Sequence, residues 1–174
     1  MTDAEFHTIF DEHKNAVYRF AWRITSSAST AEDIAQDVFL WLFRHPDRFD
    51  PRRGSIRAFL LGVARNFALK RWRDENRWAE LESEDFAEAP PSFVGSDIAE
   101  IVGRAVRSLP PLQREVLVLA EYEELSLEEI SSVVDAEIGT VKSRLHRARE
   151  NLRRMLAPLK PGMETRIRSH GTIK

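Results

Sequence analysis

The segment SLEEISSVVDAEIGTVKSRLHRARENLRRML, which runs from Ser126 to Leu156, contains two helical patterns separated by a short break. Ser126 followed by Glu129 matches a capping box and predicts a short helix through about Val134. The next three residues, 135–137, predict a turn, and the second helix then extends to the end of the segment. A short amphipathic helix, a tight turn and a second helix form a helix-turn-helix, whose second helix fits the major groove of DNA.

The second helix of this motif has one apolar and one polar face. Its apolar positions, which predict the inward face, are Val141, Leu145, Ala148 and Leu152. The candidate DNA-binding residues on or beside its outward face are Thr140, Lys142, Ser143, His146, Arg147 and Arg149. Lysine and arginine can donate to guanine O6 and N7, and a threonine at the helix start can bind a phosphate together with free backbone N–H groups. The helix alone leaves a second interpretation open, a basic surface that is simply solvated.

The composition is that of a soluble globular protein, with 43% hydrophobic and 31% charged residues among 174. The chain has no cysteine, and its five histidines never form an HxxxH pair, so we expect no disulfide, no metal site and no cofactor. The N-terminus is acidic and no apolar run reaches the ~18–20 residues that a bilayer requires. We therefore expect a cytoplasmic protein without membrane insertion.

The net charge of −2 conceals an uneven distribution of charged residues. Residues 52–77 hold eight basic side chains against two acids, and residues 138–157 hold six against one. Between these stretches, residues 79–100 hold seven acids and no base. Two basic segments separated by an acidic one remain compatible with nucleic-acid binding, which an evenly spread charge of −2 would oppose.

The N-terminal half predicts three helices. The first runs over about residues 4–25, and a capping box of Ser29 and Glu32 starts the second, which continues to about Arg44. Ser55 can cap a long third helix after the turn around Gly54. The expected inner face of that helix is Ile56, Phe59, Leu60, Val63 and Phe67.

We predict an all-α fold of two small helical domains joined by a flexible acidic linker. Residues 1–78 form the first domain and residues 97–157 the second. Residues 79–96 form the linker because they are rich in glutamate, lack periodicity and contain two prolines. The tail, residues 158–174, is expected to be disordered.

Two sets of ordered stretches follow a known pattern. In the C-terminal half they are Leu109–Val116, Leu125–Ile130 and Ile138–Arg149, and in the N-terminal half they are Ala31–Phe39, Phe49–Gly54, Ala58–Leu60 and Ala64–Asn66. The first set closely resembles region 4 of the sigma-70 family, and the second independently resembles its regions 2.2, 2.3 and 2.4. The resemblance covers about residues 5–157 and leaves no room for regions 1.1 or 3. The nearest class is therefore the extracytoplasmic-function (ECF) group, minimal sigma factors with domains 2 and 4 only.

The resemblance implies a factor, not an enzyme, that binds core RNA polymerase and directs promoter-specific initiation. Its helix-turn-helix would read the minus-35 element, and region 2 would melt the minus-10 element. The implied partners are the beta-prime clamp helices and beta flap of the polymerase, promoter DNA and an anti-sigma factor, with no small-molecule substrate. The resemblance assigns the clamp-helix contact to Asp33, Gln36 and Asp37, which share one helical face. Without the resemblance, the two aspartates would be read as residues that favour a helix N-terminus.

For the minus-10 element, the resemblance places Phe49 and Asn66 at the pocket of a flipped non-template base. An asparagine can read the edge of that base while an aromatic ring receives its face. The arginines expected to hold backbone phosphates are Arg57, Arg65, Arg71 and Arg73. The side chains for which core packing is the expected role are Phe59, Trp22, Trp41 and Trp72.

Three residues depart from the usual pattern of this family. Asp135 stands in place of a turn glycine, but aspartate tolerates left-handed backbone better than most residues. Lys70 stands where aspartate is frequent and adds positive charge beside the expected DNA path. Glu124 replaces a glycine between the middle helices of domain 4.

Two other classes of function compete with this interpretation. A helix-turn-helix repressor or activator acting without core polymerase would need a dimer to read paired half-sites, and no heptad pattern supports one. A nucleic-acid enzyme would need ordered carboxylates for metal ions or an activated nucleophile, whereas the dense acids lie in the linker without ordered spacing.

Overall fold

The computed structural model describes residues 2–75 and 97–158, and helices are the only extended regular elements in this part of the chain. The N-terminal helices are α1 (Asp3–Thr25), α2 (Ala28–Arg44) and α3 (Ile56–Asp74), with a 3-10 turn at Pro46–Arg48. The C-terminal helices are α4 (Ile98–Ser108), α5 (Pro111–Glu121), α6 (Leu127–Val134) and α7 (Ile138–Leu156). The predicted all-α class is confirmed. The predicted linker and all but the first residue of the predicted tail lie outside the described residues.

Side-chain caps fix the starts of several helices. The capping box of Ser126 and Glu129 is confirmed at α6, and the Ser55 hydroxyl accepts from the Ala58 N–H at α3. The predicted cap of α2 at Ser29 is wrong, because the Thr30 N–H donates to the hydroxyl of Ser27 over 3.3 Å.

The earlier start of α2 follows from how α1 ends. Ser26 adopts a left-handed backbone with φ 57°, and its N–H donates to the carbonyl of Trp22. This reversal leaves Ser27 extended, with φ −132° and ψ 119°, which is the conformation of an N-cap residue. The cap therefore lies two residues before the position that the S-x-x-E pattern favours.

Helices α1, α2 and α3 enclose the N-terminal core. Its largest fully buried side chains are Phe20, Ile34, Leu42, Leu60 and Leu61. Trp22, Phe59 and Trp72 are partly buried against the core, in agreement with the packing role predicted for them. Trp41, for which the same role was predicted, is also partly buried, but its ring stacks on His45 with the ring centres 4.9 Å apart. On α3, the sequence pattern predicted the buried Leu60 but missed the buried Leu61 and Ala64, because this helix is covered on more than its predicted face.

Helices α4 to α7 form the C-terminal unit around Val116, Val118, Leu119 and Ile130, all fully buried. The inward face of α7 is confirmed at Val141, Leu145 and Ala148, which are buried, and Leu152 packs against the same core. Asp135 and Glu124 both adopt left-handed backbone, with φ 50° and 54°. Both positions where glycine was expected thus retain the glycine-like turn geometry.

The two helical units pack directly against each other, which the sequence pattern did not predict. Helix α3 lies against α6, while α1 contacts α4 and α5, and the buried residues of both units form one contiguous cluster. The approach is close at Gly62 of α3, where a Cβ atom would lie 4.0 Å from the Cα of Val133 in α6. The side of α3 that carries Gly62 is therefore covered by the C-terminal unit.

Candidate functional site

The outward face of α7 is open to solvent. All six residues predicted to contact the minus-35 element are exposed: Thr140, Lys142, Ser143, His146, Arg147 and Arg149. No side chain caps the start of α7, so backbone N–H groups of its first turn can meet a phosphate. The α7 surface thus has the form of a recognition helix, with an apolar face packed inward and donors outward.

Arg149 is paired with a residue of another helix. Its Nη2 and Nε donate to Oε1 of Glu121 in α5, over 2.6 and 3.1 Å. Glu121 was not among the residues singled out from the sequence, and no local signal could have found it. The pair holds the Arg149 guanidinium against α5, roughly 10 Å along the axis of α7 from the exposed Lys142.

The predicted polymerase-docking residues form one exposed strip along α2. Gln36 is exposed, and the side chains of Asp33 and Asp37 are 62% and 42% exposed. Both carboxylates contact Arg71 of α3, with N···O distances of 3.5 and 3.0 Å. The structure therefore brings a residue of the predicted phosphate-binding set against the predicted docking set.

Two large apolar side chains extend the same strip. Leu40 and Phe43 are 45% and 58% exposed, and they lie seven residues beyond Asp33 and Gln36 respectively. A spacing of seven residues returns to the same helical face after about two turns. Sequence reasoning missed this apolar continuation, although the spacing was visible.

The predicted minus-10 pocket lies on α3 and the loop before it. Asn66 is exposed on α3, and Phe49 follows the 3-10 turn, half-buried, with its ring 5.4 Å from the ring of Phe59. Phe59 and Asn66 are seven residues apart and share one face of α3, roughly 10 Å apart along the axis. Phe49 therefore lies at the N-terminal end of the face that carries Asn66.

The arginines predicted to bind phosphates differ in their surroundings. Arg73 is exposed near the end of α3. Arg65 is buried, and its Nε and Nη2 donate to the two carboxylate oxygens of Glu115 in α5, over 2.7 and 3.1 Å. Arg57 donates from Nη2 to Oε2 of Glu123 over 2.5 Å. Burial raises the pKa of the Glu115 carboxyl above its ordinary value, and the Arg65 guanidinium opposes that rise.

Within the described ranges, none of the helices has the length and apolarity needed to span a membrane. The same residues contain no group of three or more histidine, aspartate or glutamate side chains placed to hold a metal ion.

The sigma-70 region 2 profile matches residues 9–78, and the sigma-70 region 4 profile matches residues 99–152. The fold and these two regions define a sigma-70-type transcription initiation factor, a class that acts in regulation and not as a typical enzyme.

Individual relatives show which group of sigma-70-type factors this chain is similar to. The ECF RNA polymerase sigma factor SigW of Bacillus subtilis is 30% identical over 88% of this chain and 90% of its own length. The ECF sigma factor SigE of Mycolicibacterium smegmatis is 33% identical over 84% of this chain, which spans 59% of that relative. The solved structure of the sigma factor RpoE of Bartonella quintana, in complex with the anti-sigma factor NepR, is similar with a TM-score of 0.72 and 26% identity. The match covers 90% of this chain and 99% of the Bartonella chain.

This chain belongs to the ECF group of sigma-70-family RNA polymerase sigma factors. Its function is to bind core RNA polymerase and direct promoter-specific transcription initiation.

Proposed function

We propose that each helical unit has its own role in initiation. In the N-terminal unit, α2 docks on the beta-prime clamp helices and α3 opens the minus-10 element. In the C-terminal unit, α7 reads the minus-35 element. The observation that carries the proposal is the outward, exposed set of donors on α7 above a buried apolar face. In the docking strip, Asp33, Gln36 and Asp37 supply the polar contacts. The C-terminal unit would meet the beta flap.

The roles on α7 follow from what each side chain can reach. Lys142 and Arg147 are exposed donors suited to guanine O6 and N7, while Ser143 and His146 lie beside them. Thr140 and the uncapped first turn suit a phosphate. Arg149 is a phosphate ligand in this proposal, because its guanidinium is already oriented by Glu121 of α5.

Minus-10 opening is assigned to Phe49 and Asn66. A base leaves the stack at low cost only where its edge is read by hydrogen bonds and its face is received by an apolar surface. The exposed amide of Asn66 supplies the first requirement and the ring of Phe49, supported by Phe59, supplies the second. The phosphate ligands proposed for this region are Arg57, Arg65, Arg71 and Arg73. The exposed Lys70 adds to their positive electrostatic potential.

An anti-sigma factor is the proposed regulator. Support comes from the Bartonella relative, which was solved in complex with such a protein and superimposes over nine tenths of this chain, including both helical units. The proposed site of action is the cytoplasm, where bacterial polymerase and its template are found.

Run-off transcription with purified core polymerase tests the function directly. We expect core plus this chain to produce discrete transcripts from promoters selected from random DNA, whereas core alone or this chain alone produces none. Tight, core-independent binding of a palindromic DNA site would instead support the alternative of a repressor or activator.

A prediction follows for the minus-35 contacts. Lys142→Ala and Arg147→Ala should each weaken use of specific minus-35 sequences by roughly 1–3 kcal/mol, the range of a base-directed contact. Arg149→Ala should weaken all promoters similarly and reduce the salt dependence of binding, because a phosphate contact carries no base information. The measurement is holoenzyme affinity for a panel of minus-35 variants across a salt series. Equal, sequence-blind losses at all three positions would contradict base reading by α7.

A further inference from the structure

An apolar side chain is exposed at the start of the helix that is proposed to read the minus-35 element. In the part of the chain that the structure describes, three large apolar side chains are exposed, and two of them, Leu40 and Phe43, belong to the docking strip of α2. The third is Ile138, which is the first residue of α7 and is 36% exposed. Its apolar surface therefore meets solvent beside the polar donors of α7.

Packing within the chain uses only part of this side chain. The neighbouring Ala136 packs against the core, and the first buried residue of α7 is Val141. An isoleucine adds little to helix formation, because its branched β-carbon restricts the side chain in a helix. The exposed part of Ile138 is therefore available for contact with a partner of α7.

The position of Ile138 relative to the proposed base-reading residues follows from helix geometry. Ile138 precedes the exposed Lys142 by four residues, so the two side chains share one side of α7 about one turn apart. Their separation along the helix axis is roughly 6 Å, which is less than two base pairs at ~3.4 Å per pair. The first residues of a recognition helix are those that contact base edges in the major groove. Ile138 thus lies where a base pair close to the one read by Lys142 would be.

The major groove offers an isoleucine one kind of favourable contact. Thymine presents a C5-methyl group there, whereas the other base edges present hydrogen-bond donors and acceptors. A donor or acceptor covered by an apolar side chain loses its bonds to water and gains none in return, which costs free energy. Ile138 therefore favours thymine and disfavours the other bases at the position it covers.

We propose that Ile138 recognises the C5-methyl group of a thymine in the minus-35 element, within about two base pairs of the guanine read by Lys142. This inference rests on the proposed function, because it requires α7 to lie in the major groove. Ile138 is then a specificity-determining residue. One side of α7 combines an apolar contact with thymine and, one turn later, a cationic donor to guanine.

Deoxyuridine provides a direct test, because uracil pairs with adenine as thymine does but lacks the methyl group. Minus-35 elements selected from random DNA with the holoenzyme should carry a thymine within about two base pairs of the guanine. Replacement of that thymine by deoxyuridine should weaken holoenzyme binding about fourfold, the effect of removing one buried methyl group. The same replacement should change the affinity of the Ile138→Ala holoenzyme by less than about twofold, since alanine is too short to bury the methyl group.

A second arm supplies the methyl group on another base. With a cytosine–guanine pair at the thymine position, 5-methylcytosine should bind more tightly than cytosine, and this gain should disappear in Ile138→Ala. Each comparison is made within one protein, so any effect of the substitution on folding cancels.

The variant Lys142→Ala separates this proposal from the function on which it rests. It should lose discrimination at the guanine while it keeps the loss of affinity caused by uracil. If Lys142→Ala has no effect on guanine discrimination and uracil has no effect on binding, both the reading of the minus-35 element by α7 and the role of Ile138 fail. Loss of guanine discrimination together with tolerance of uracil at every thymine of the element would overturn the Ile138 proposal alone. An equal effect of uracil in the unmodified and Ile138→Ala proteins would also overturn it.

Discussion

Replacing Asp33 and Asp37 together by lysine should abolish association with core polymerase. Both side chains are exposed on one face of α2, so the substitution reverses two charges at the proposed contact with the clamp helices. Like-charge contacts across an interface cost several kcal/mol, and a loss of ~3 kcal/mol corresponds to roughly 100-fold in affinity. Fluorescence titration of labelled protein with core polymerase measures the effect.

The double substitution also removes the partners of Arg71, so its controls must separate docking from folding. Arg71→Ala removes the same intramolecular pairs while it retains both carboxylates, and it should keep most of the core affinity, because partly exposed ion pairs contribute ~0–1 kcal/mol. Asp3→Lys with Glu12→Lys makes the same charge change at exposed positions of α1. Loss of helicity in the Asp33/Asp37 double variant, seen by circular dichroism, would show that the acids are structural and would leave docking unsupported.

The second large effect is expected in promoter melting. Phe49→Ala and Asn66→Ala should each slow open-complex formation on duplex promoters, and the double variant should do so by ~100-fold, because stacking on an aromatic ring and a base-edge contact are each worth about 1–3 kcal/mol. Asn66→Ala should in addition change preference at one minus-10 base. Permanganate footprinting and the burst of run-off transcript measure opening, while core affinity should stay unchanged.

Asp74→Asn is a suitable control for melting, because this exposed residue ends α3 roughly 12 Å along the helix axis from Asn66. Its rate of opening should match that of the unmodified chain. On a template that is already unpaired across the minus-10 element, the double variant should recover much of its activity. The duplex is already open there, so these side chains are no longer needed to open it. A uniform loss on duplex and unpaired templates, without a change in base preference, would contradict the flipped-base role.

Local sequence was enough to predict the helices, the caps at Ser55 and Ser126 and the inward face of α7. These features depend on neighbours within three or four residues, so their signals are local: apolar residues at helical spacing, a capping box at Ser126 and Glu129, and a turn at Asp135. That the predicted docking residues lie together on α2 could be predicted for the same reason, because residues 33, 36 and 37 share a face in any regular helix.

The packing of the two helical units against each other could be seen only in the tertiary structure. Helix α2 is capped by Ser27 and not by the predicted Ser29, because the left-handed backbone of Ser26 at the end of α1 leaves Ser27 extended. The partners Arg65 and Glu115 are 50 residues apart, and Arg57 and Glu123 are 66 apart, so no periodicity in either segment contains the pairing. Such pairs depend on how whole helices pack, and a guanidinium meets a carboxylate or a phosphate with the same hydrogen-bond geometry. Local sequence therefore predicted α3 as an anion-binding surface, and only the packed chain showed that carboxylates of the C-terminal unit contact Arg57 and Arg65.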